Sequence, residues 1–362
     1  MSFAKKFSHL LTLIFPILLL GCGGGSATSE ISEVSEGSIP SSLPEIEAEI
    51  RSGLEVYNSD VDFTFYLKSG QQKSFIHSTG TSNEFVSYAS GSTSKLVTSV
   101  IILSLVNEGI LSLDDSPQYY IASWPSTGSL AAIKLKHLLS FTSGLSEAPL
   151  CLYAANANFE TCVDNIASAN SFASVAGSEF YYSPSHLQVA GLMAVKASGN
   201  TSWASVFEQF QSKTGLFLNS KYDLPAVTNP RLAGGMHWAA EDYMSFLEAL
   251  VNNSILTPAL IEQLSSDQLS DAAIVNSPAL NLLTEDWHYG YGAWLECQGN
   301  PFDCTETARI SSPGTYGAYP FIDFEHGYYG IVAREGAQGT FQAGIELFQA
   351  VSSKVEDWAS MK

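Results

Sequence analysis

"YASGSTSKLVTSVIILSLVNEGILSLDD", residues 88–115, is the stretch on which the reading of the whole chain turns. From Leu96 to Val106 apolar residues dominate every side of the segment, as in a helix buried all round, and Gly109 supplies a stop. Ser92 at its mouth could serve as a helix cap. Lys95 is harder to place, because a buried ammonium must be paired or give up its proton. Positions three apart share a helix face, so the Lys95 amine can approach the Ser92 hydroxyl. The positive end of the helix favours negative charge on a reacting oxygen there. Desolvation behind it makes a neutral amine available, so serine and lysine together form a nucleophile and its activator. The spacing S-x-x-K is weak on its own, and it recurs at Ser2–Lys5.

The chain has 362 residues, 45% of them hydrophobic, enough for one large globular domain or two small ones. Acids outnumber bases 36 to 16, a formal net charge of −20. That balance argues against nucleic acid or an anionic lipid surface as partner. Hydrolase motifs such as G-x-S-x-G, H-E-x-x-H and the Walker A loop are missing. The histidines show no metal-ligand spacing, and neither a metal nor an organic cofactor is implied.

Residues 1–21 read as a secretory leader: Lys5 and Lys6, then an apolar run from Leu10 to Leu20, then Gly21 and Cys22. The run falls short of the roughly 20 residues a spanning helix needs. "LLGC" at 19–22 resembles a bacterial lipobox, which would lipidate Cys22, and Gly23 after it resembles lipoproteins sorted to the outer membrane. The expected location is therefore the cell envelope, facing the periplasm or the cell surface. Residues 22–44, rich in Gly, Ser, Glu and Pro, read as a flexible tether, with the globular part spanning 45–362. Four cysteines remain, Cys151, Cys162, Cys297 and Cys304; an even number in an exported chain suggests two disulfides. Three pairings are possible, of which 151–162 with 297–304 closes two short loops. A zinc site would need a C-x-x-C type spacing that is absent.

β-Rich runs stand at both ends of the globular part: "VDFTFYLKSG" and "QKSFIHSTG" early, then "ARISSPG", "YGAYPFID" and "GYYGIVARE" late. "SHLQVAGLMAVKASG" and "EDYMSFLEALVNN" between them read as helices, and a closing helix is expected from about Thr340. The pattern predicts an α+β fold: one antiparallel sheet drawn from both termini, flanked by helices, with an α-helical insertion.

"IKLKHLLSFTSGLSE" (133–147), "FYYSPSHLQVAG" (180–191), "RLAGGMHWAAEDYMSFLEAL" (231–250) and "YGYGAWLE" (289–296) follow the Ser92 helix in order. With it, this series resembles the serine β-lactamase and penicillin-recognising superfamily, nearest its class C-like branch with family VIII carboxylesterases and D-Ala-D-Ala carboxypeptidases. The resemblance implies the β-lactamase-like form of the α+β fold, with Ser92 as nucleophile, Lys95 as its base and Tyr182 as the tyrosine of a Tyr-x-Asn element; Tyr181 takes that place if the register slips by one. Pro184 stands where the asparagine would be. "KTG" occurs at Lys213-Thr214-Gly215, but inside the helical insertion; the positional equivalent of the family's late-strand Lys-Thr-Gly is Ser312-Pro313-Gly314. Ser312 and Gly314 are then substrate-binding positions, and the backbone N–H groups of Ser92 and Thr315 form the oxyanion hole. A glycine pair at 234–235 resembles a family loop near the site.

The resulting expectation is an exported, lipid-anchored serine hydrolase acting through an acyl-enzyme on a small-molecule ester, amide or peptide, more carboxylesterase-like than a true β-lactamase. Within enzymes the rival is a D-Ala-D-Ala carboxypeptidase or weak β-lactamase; outside them, a catalytically silent binding lipoprotein.

Overall fold

The run Phe63, Phe65, Leu67 alternates with Thr64, Tyr66 and Lys68, and a strand sends such neighbours to opposite faces. In a computed structural model, which describes residues 42–70, 73–297, 302 and 309–361, this strand, Phe63–Ser69, lies inside a seven-stranded antiparallel sheet. It pairs with Tyr328–Arg334 on one side and with Ser74–Ser78 on the other. Beyond Tyr328–Arg334 come Tyr319–Asp323, Arg309–Ser311, Trp294–Glu296 and His288–Tyr289. Early and late segments of the chain thus share one sheet, as the sequence predicts.

Helices cover both faces. Phe65 packs against Phe348 of the Gln342–Gln349 helix, whereas Lys68, one step out of phase, bonds Glu248 of the Ala240–Val251 helix. The first helix, Leu43–Val56, packs on the last, Ser352–Ser360. It begins two residues inside the stretch read as tether, with Pro44 in its first turn, where a missing N–H costs nothing. The leader, Cys22 and the rest of the tether lie outside the described residues. The closing helix is in fact two: Gln342–Gln349 and Ser352–Ser360 are separated at Val351, whose side chain packs close to Gly53 of the first helix.

The insertion is mostly helical but carries short strands that the sequence pattern did not announce. Ser87–Ala89 pairs with Met236–Ala239, so the residues before Ser92 are fastened to the loop at 231–235. Glu179–Tyr181 pairs in parallel with Ala273–Asn276, and Tyr182 N–H donates to the Asn276 carbonyl at 3.0 Å. The Ser94–Asn107 helix, 14 residues of which 11 are buried, packs against the Ser185–Ala197 helix at the centre. It is buried on every side, as its uniform hydrophobicity predicts.

Candidate active site

The nucleophile candidate sits on a built turn. Gly91–Thr93 form a 3-10 turn that runs straight into the Ser94–Asn107 helix, and no side chain caps either element. Gly91 has φ +51°, and a Cβ there would meet the backbone nitrogen of Thr315 at 2.9 Å, so only glycine fits. Thr93 is held from the insertion side, its hydroxyl accepting from Trp238 Nε1 (2.7 Å) and its carbonyl from the Tyr243 hydroxyl (2.9 Å). Ser92 itself is left half-buried, its hydroxyl free of capping duty and turned to Lys95.

Lys95 is 4% exposed. Its Nζ lies 2.8 Å from Ser92 Oγ, 2.8 Å from the carbonyl oxygen of Ala233, and 4.6 Å from the centre of the Tyr182 ring. No carboxylate partners it among the described residues. Burial, helped by the charge of Arg231, holds its pKa well below the ordinary lysine value. Once deprotonated, the amine can give one N–H to Ala233 and take the Ser92 hydroxyl proton into its lone pair.

Tyr182, not Tyr181, is the tyrosine beside the nucleophile. Burial pushes its hydroxyl up to about 12, offset in part by hydrogen bonds with Ser92 and Trp294. It stays a neutral phenol at ordinary pH, with the Lys95 amine over its ring. The Tyr181 carbonyl accepts from His186 Nε2 at 2.8 Å; a carbonyl can only accept, so Nδ1 of that ring is the acceptor for the Ser143 hydroxyl, also at 2.8 Å. Burial holds this imidazole neutral, its pKa brought down to about 4. It stacks on Phe141, whose ring also touches Tyr182, so the pair fixes the tyrosine from behind. Pro184 is at the start of the Ser185–Ala197 helix and offers no amide to a substrate.

The late-strand side differs from expectation. Ser312 is 3% exposed, and its hydroxyl donates to the Ser92 carbonyl at 3.0 Å. It fastens the backbone of the nucleophile and is not a substrate contact; Pro313 and Thr315 reach the cleft instead. Gly314 allows close approach, but of protein: a Cβ there would meet the Ser90 carbonyl at 2.5 Å. Thr315 stands against Gly91, its backbone nitrogen 2.9 Å from where a Cβ on that glycine would lie. The cleft holds about 240 Å3 and is lined by Ser92, Tyr182 and Thr315 with an apolar wall that includes Leu282, Trp287, Trp294 and Phe341; among the described residues no charged side chain lines it.

Lys213 lies far from this geometry in kind as well as place. It ends the Trp203–Thr214 helix on an exposed ion pair with Glu108 at 2.6 Å. Cys151 and Cys162 are disulfide-bonded. Cys297 is also disulfide-bonded, and its expected partner Cys304 lies outside the described residues. Sequence reasoning missed three neighbours of the site. Ala233 acts through a backbone oxygen and has no side-chain signal; the glycine pair beside it was the available clue. Arg231 and Trp294 come in from remote segments.

The family model for beta-lactamases matches residues 81–344, the span that carries every one of these groups. The chain belongs to the beta-lactamase family. Members of this family are serine hydrolases. A search of curated proteins returned no match. Among solved structures, a protein of Bacteroides dorei DSM 17855 assigned to the beta-lactamases is 24% identical, with a TM-score of 0.72 over 87% of this chain and 99% of that one. The D-amino acid amidase of Ochrobactrum anthropi SV3, complexed with D-phenylalanine, is 14% identical, with a TM-score of 0.68 over 86% and 99%. EstCE1, described as a hydrolase with promiscuous acyltransferase activity, is 16% identical, with a TM-score of 0.66 over 85% and 98%. At these identities the likeness is one of fold.

Proposed function

We propose that this protein is an exported serine hydrolase that cleaves small esters through an acyl-enzyme on Ser92. The observation that carries the reading is the buried, acid-free Lys95 amine at 2.8 Å from Ser92 Oγ. The Ser92 hydroxyl gives its proton to Lys95 as Oγ bonds to the ester carbonyl carbon. The resulting oxyanion takes hydrogen bonds from the Ser92 and Thr315 N–H groups. When the C–O bond breaks, the proton moves from the Lys95 ammonium through the Tyr182 hydroxyl to the departing oxygen, and a neutral alcohol leaves. Water then gives a proton to the same amine as it attacks the acyl carbon; the C–Oγ bond breaks, Oγ takes the proton back from the Lys95 ammonium, and the carboxylic acid leaves.

Esters are favoured over β-lactams because the cleft wall is apolar and uncharged, and because Ser312, buried on the Ser92 carbonyl, offers no cation to a ring carboxylate. The leader-like segment and Cys22 support a lipid-anchored form in the envelope, outer membrane included.

The test is a screen of 4-nitrophenyl esters against a chromogenic cephalosporin, together with fluorophosphonate labelling. Expected are a higher kcat/KM for short neutral esters and loss of all labelling in Ser92→Ala. Faster cephalosporin turnover would shift the assignment to a β-lactamase or D-Ala-D-Ala carboxypeptidase, and no turnover or labelling at all to a silent binding protein.

A further inference from the structure

Acids exceed bases by 20 in this chain, and cations generally find them. Arg309 and Arg334 each hold an aspartate, and Lys68, Lys134, Lys196, Lys213, Lys221 and Lys354 each hold an acid. Arg231 holds none among the described residues. It is half-buried on the same five-residue loop whose Ala233 carbonyl anchors Lys95. A Cβ at Gly234 would touch both its Nε, at 3.2 Å, and the carbonyl carbon of Gly91, at 3.5 Å. The guanidinium and the peptide that presents Ser92 thus both border Gly234.

Its surroundings are rigid. The guanidinium sits over the Tyr153 ring at 5.0 Å, and Nη2 donates to the Gly234 carbonyl at 3.3 Å. Tyr153 ends the Leu150–Tyr153 turn, which the Cys151–Cys162 disulfide ties to the helix Phe159–Ala169. Buried Asn229, two residues before Arg231, donates to the carbonyls of Cys151 (2.8 Å) and Ala154 (3.1 Å). The turn bearing the tyrosine and the segment leading into the arginine are thus fastened together. One long bond to Gly234 leaves most of the five guanidinium N–H donors open, and the exposed tyrosine face satisfies none of them.

An arginine so placed works against the reaction when it stands alone, because Lys95 must become an ammonium beside it. A substrate anion would cancel that opposition at the moment it arises. Resting on the ester-hydrolase reading above, we propose that Arg231 binds a carboxylate on the acyl part of the substrate, so that the preferred substrates are monoesters of dicarboxylic acids. The acyl part is assigned by elimination of the other side. Tyr182, which hands the proton to the departing oxygen, lines the apolar cleft, so that cleft takes the alcohol; Arg231 is outside its lining, on the Lys95 loop. The carboxylate gains from the planar fork of the arginine.

The experiment compares 4-nitrophenyl hydrogen adipate with 4-nitrophenyl hexanoate, which differ by a terminal carboxylate for a methyl and share a leaving group. The ratio of their kcat/KM values should fall at least tenfold in Arg231→Gln; any change in Lys95 basicity affects both substrates and cancels in the ratio. A ratio within twofold of wild type overturns the assignment. Should that variant not fold, salt decides on wild type alone: from 0.05 to 0.5 M the ratio should drop several-fold as screening rises, and an unchanged ratio overturns the proposal. Ser92→Ala separates the two readings. If it is inactive while the Arg231 ratio stays flat, only the carboxylate assignment fails; if it hydrolyses both esters like wild type, the serine-hydrolase reading itself fails.

Discussion

Two lysines in this chain stand in family-like motifs, and the structure treats them in opposite ways. Lys95 follows Ser92 by three residues, is buried, has no acid partner among the described residues, and meets a hydroxyl, a carbonyl and an aromatic ring. Lys213 opens the only Lys-Thr-Gly in the sequence, is exposed on the last turn of a helix, and is spent on Glu108. The first environment penalises charge and lowers the pKa of the amine. The second ties it to an acid at the surface. The lesson is that a motif acquires chemistry through burial and partners, and three matching letters without them give none.

Substitutions can break or sharpen this contrast. Lys95→Ala should lower kcat/KM for a neutral ester by about 10²–10⁴, the range of a general base, with the protein still folded by circular dichroism. Tyr182→Phe should cost less, about 10–10²-fold, because the base remains and only the proton relay to the leaving group is lost; a larger loss than in Lys95→Ala would reverse the two roles. Ser312→Ala removes one hydrogen bond to the Ser92 carbonyl, worth about 1 kcal/mol, and should slow the ester reaction less than tenfold. Lys213→Ala should be the smallest, with kcat/KM within about twofold and stability within about 1 kcal/mol, since an exposed ion pair contributes little. If Lys213→Ala matched Lys95→Ala in a kinetic assay, the contrast would collapse.

Much of this was legible in the chain. Strict alternation from Phe63 to Lys68 and the late β-rich runs announce a sheet shared by both ends, and the apolar segment after Lys95 announces a buried helix. The break at Val351 had no glycine or proline to mark it; the residue that packs there, Gly53, is some 300 positions away. Strands of two to four residues, such as Met236–Ala239, are too short for a period to show. In the site, Ser92 and Lys95 are local neighbours and could be paired from spacing. Tyr182 came through the resemblance of its segment to a family element. The direction of the Ser312 hydroxyl could not be read: its position on the late strand matches a substrate-facing residue, but burial turns it to the Ser92 carbonyl. Ala233 contributes a backbone oxygen, which every residue carries.

The claim on which everything rests is that Lys95 works as a neutral amine. The pH dependence of Ser92 acylation tests it most directly, followed by stopped-flow release of 4-nitrophenol from a neutral ester under single-turnover conditions. A lysine whose pKa is lowered is deprotonated above that lowered value, so the rate should rise along an acid limb well below 10.5 and then hold level. The plateau should extend toward the region near 12 where the Tyr182 phenol ionises. An acid limb at the ordinary lysine value, with negligible acylation at neutral pH, would contradict the account.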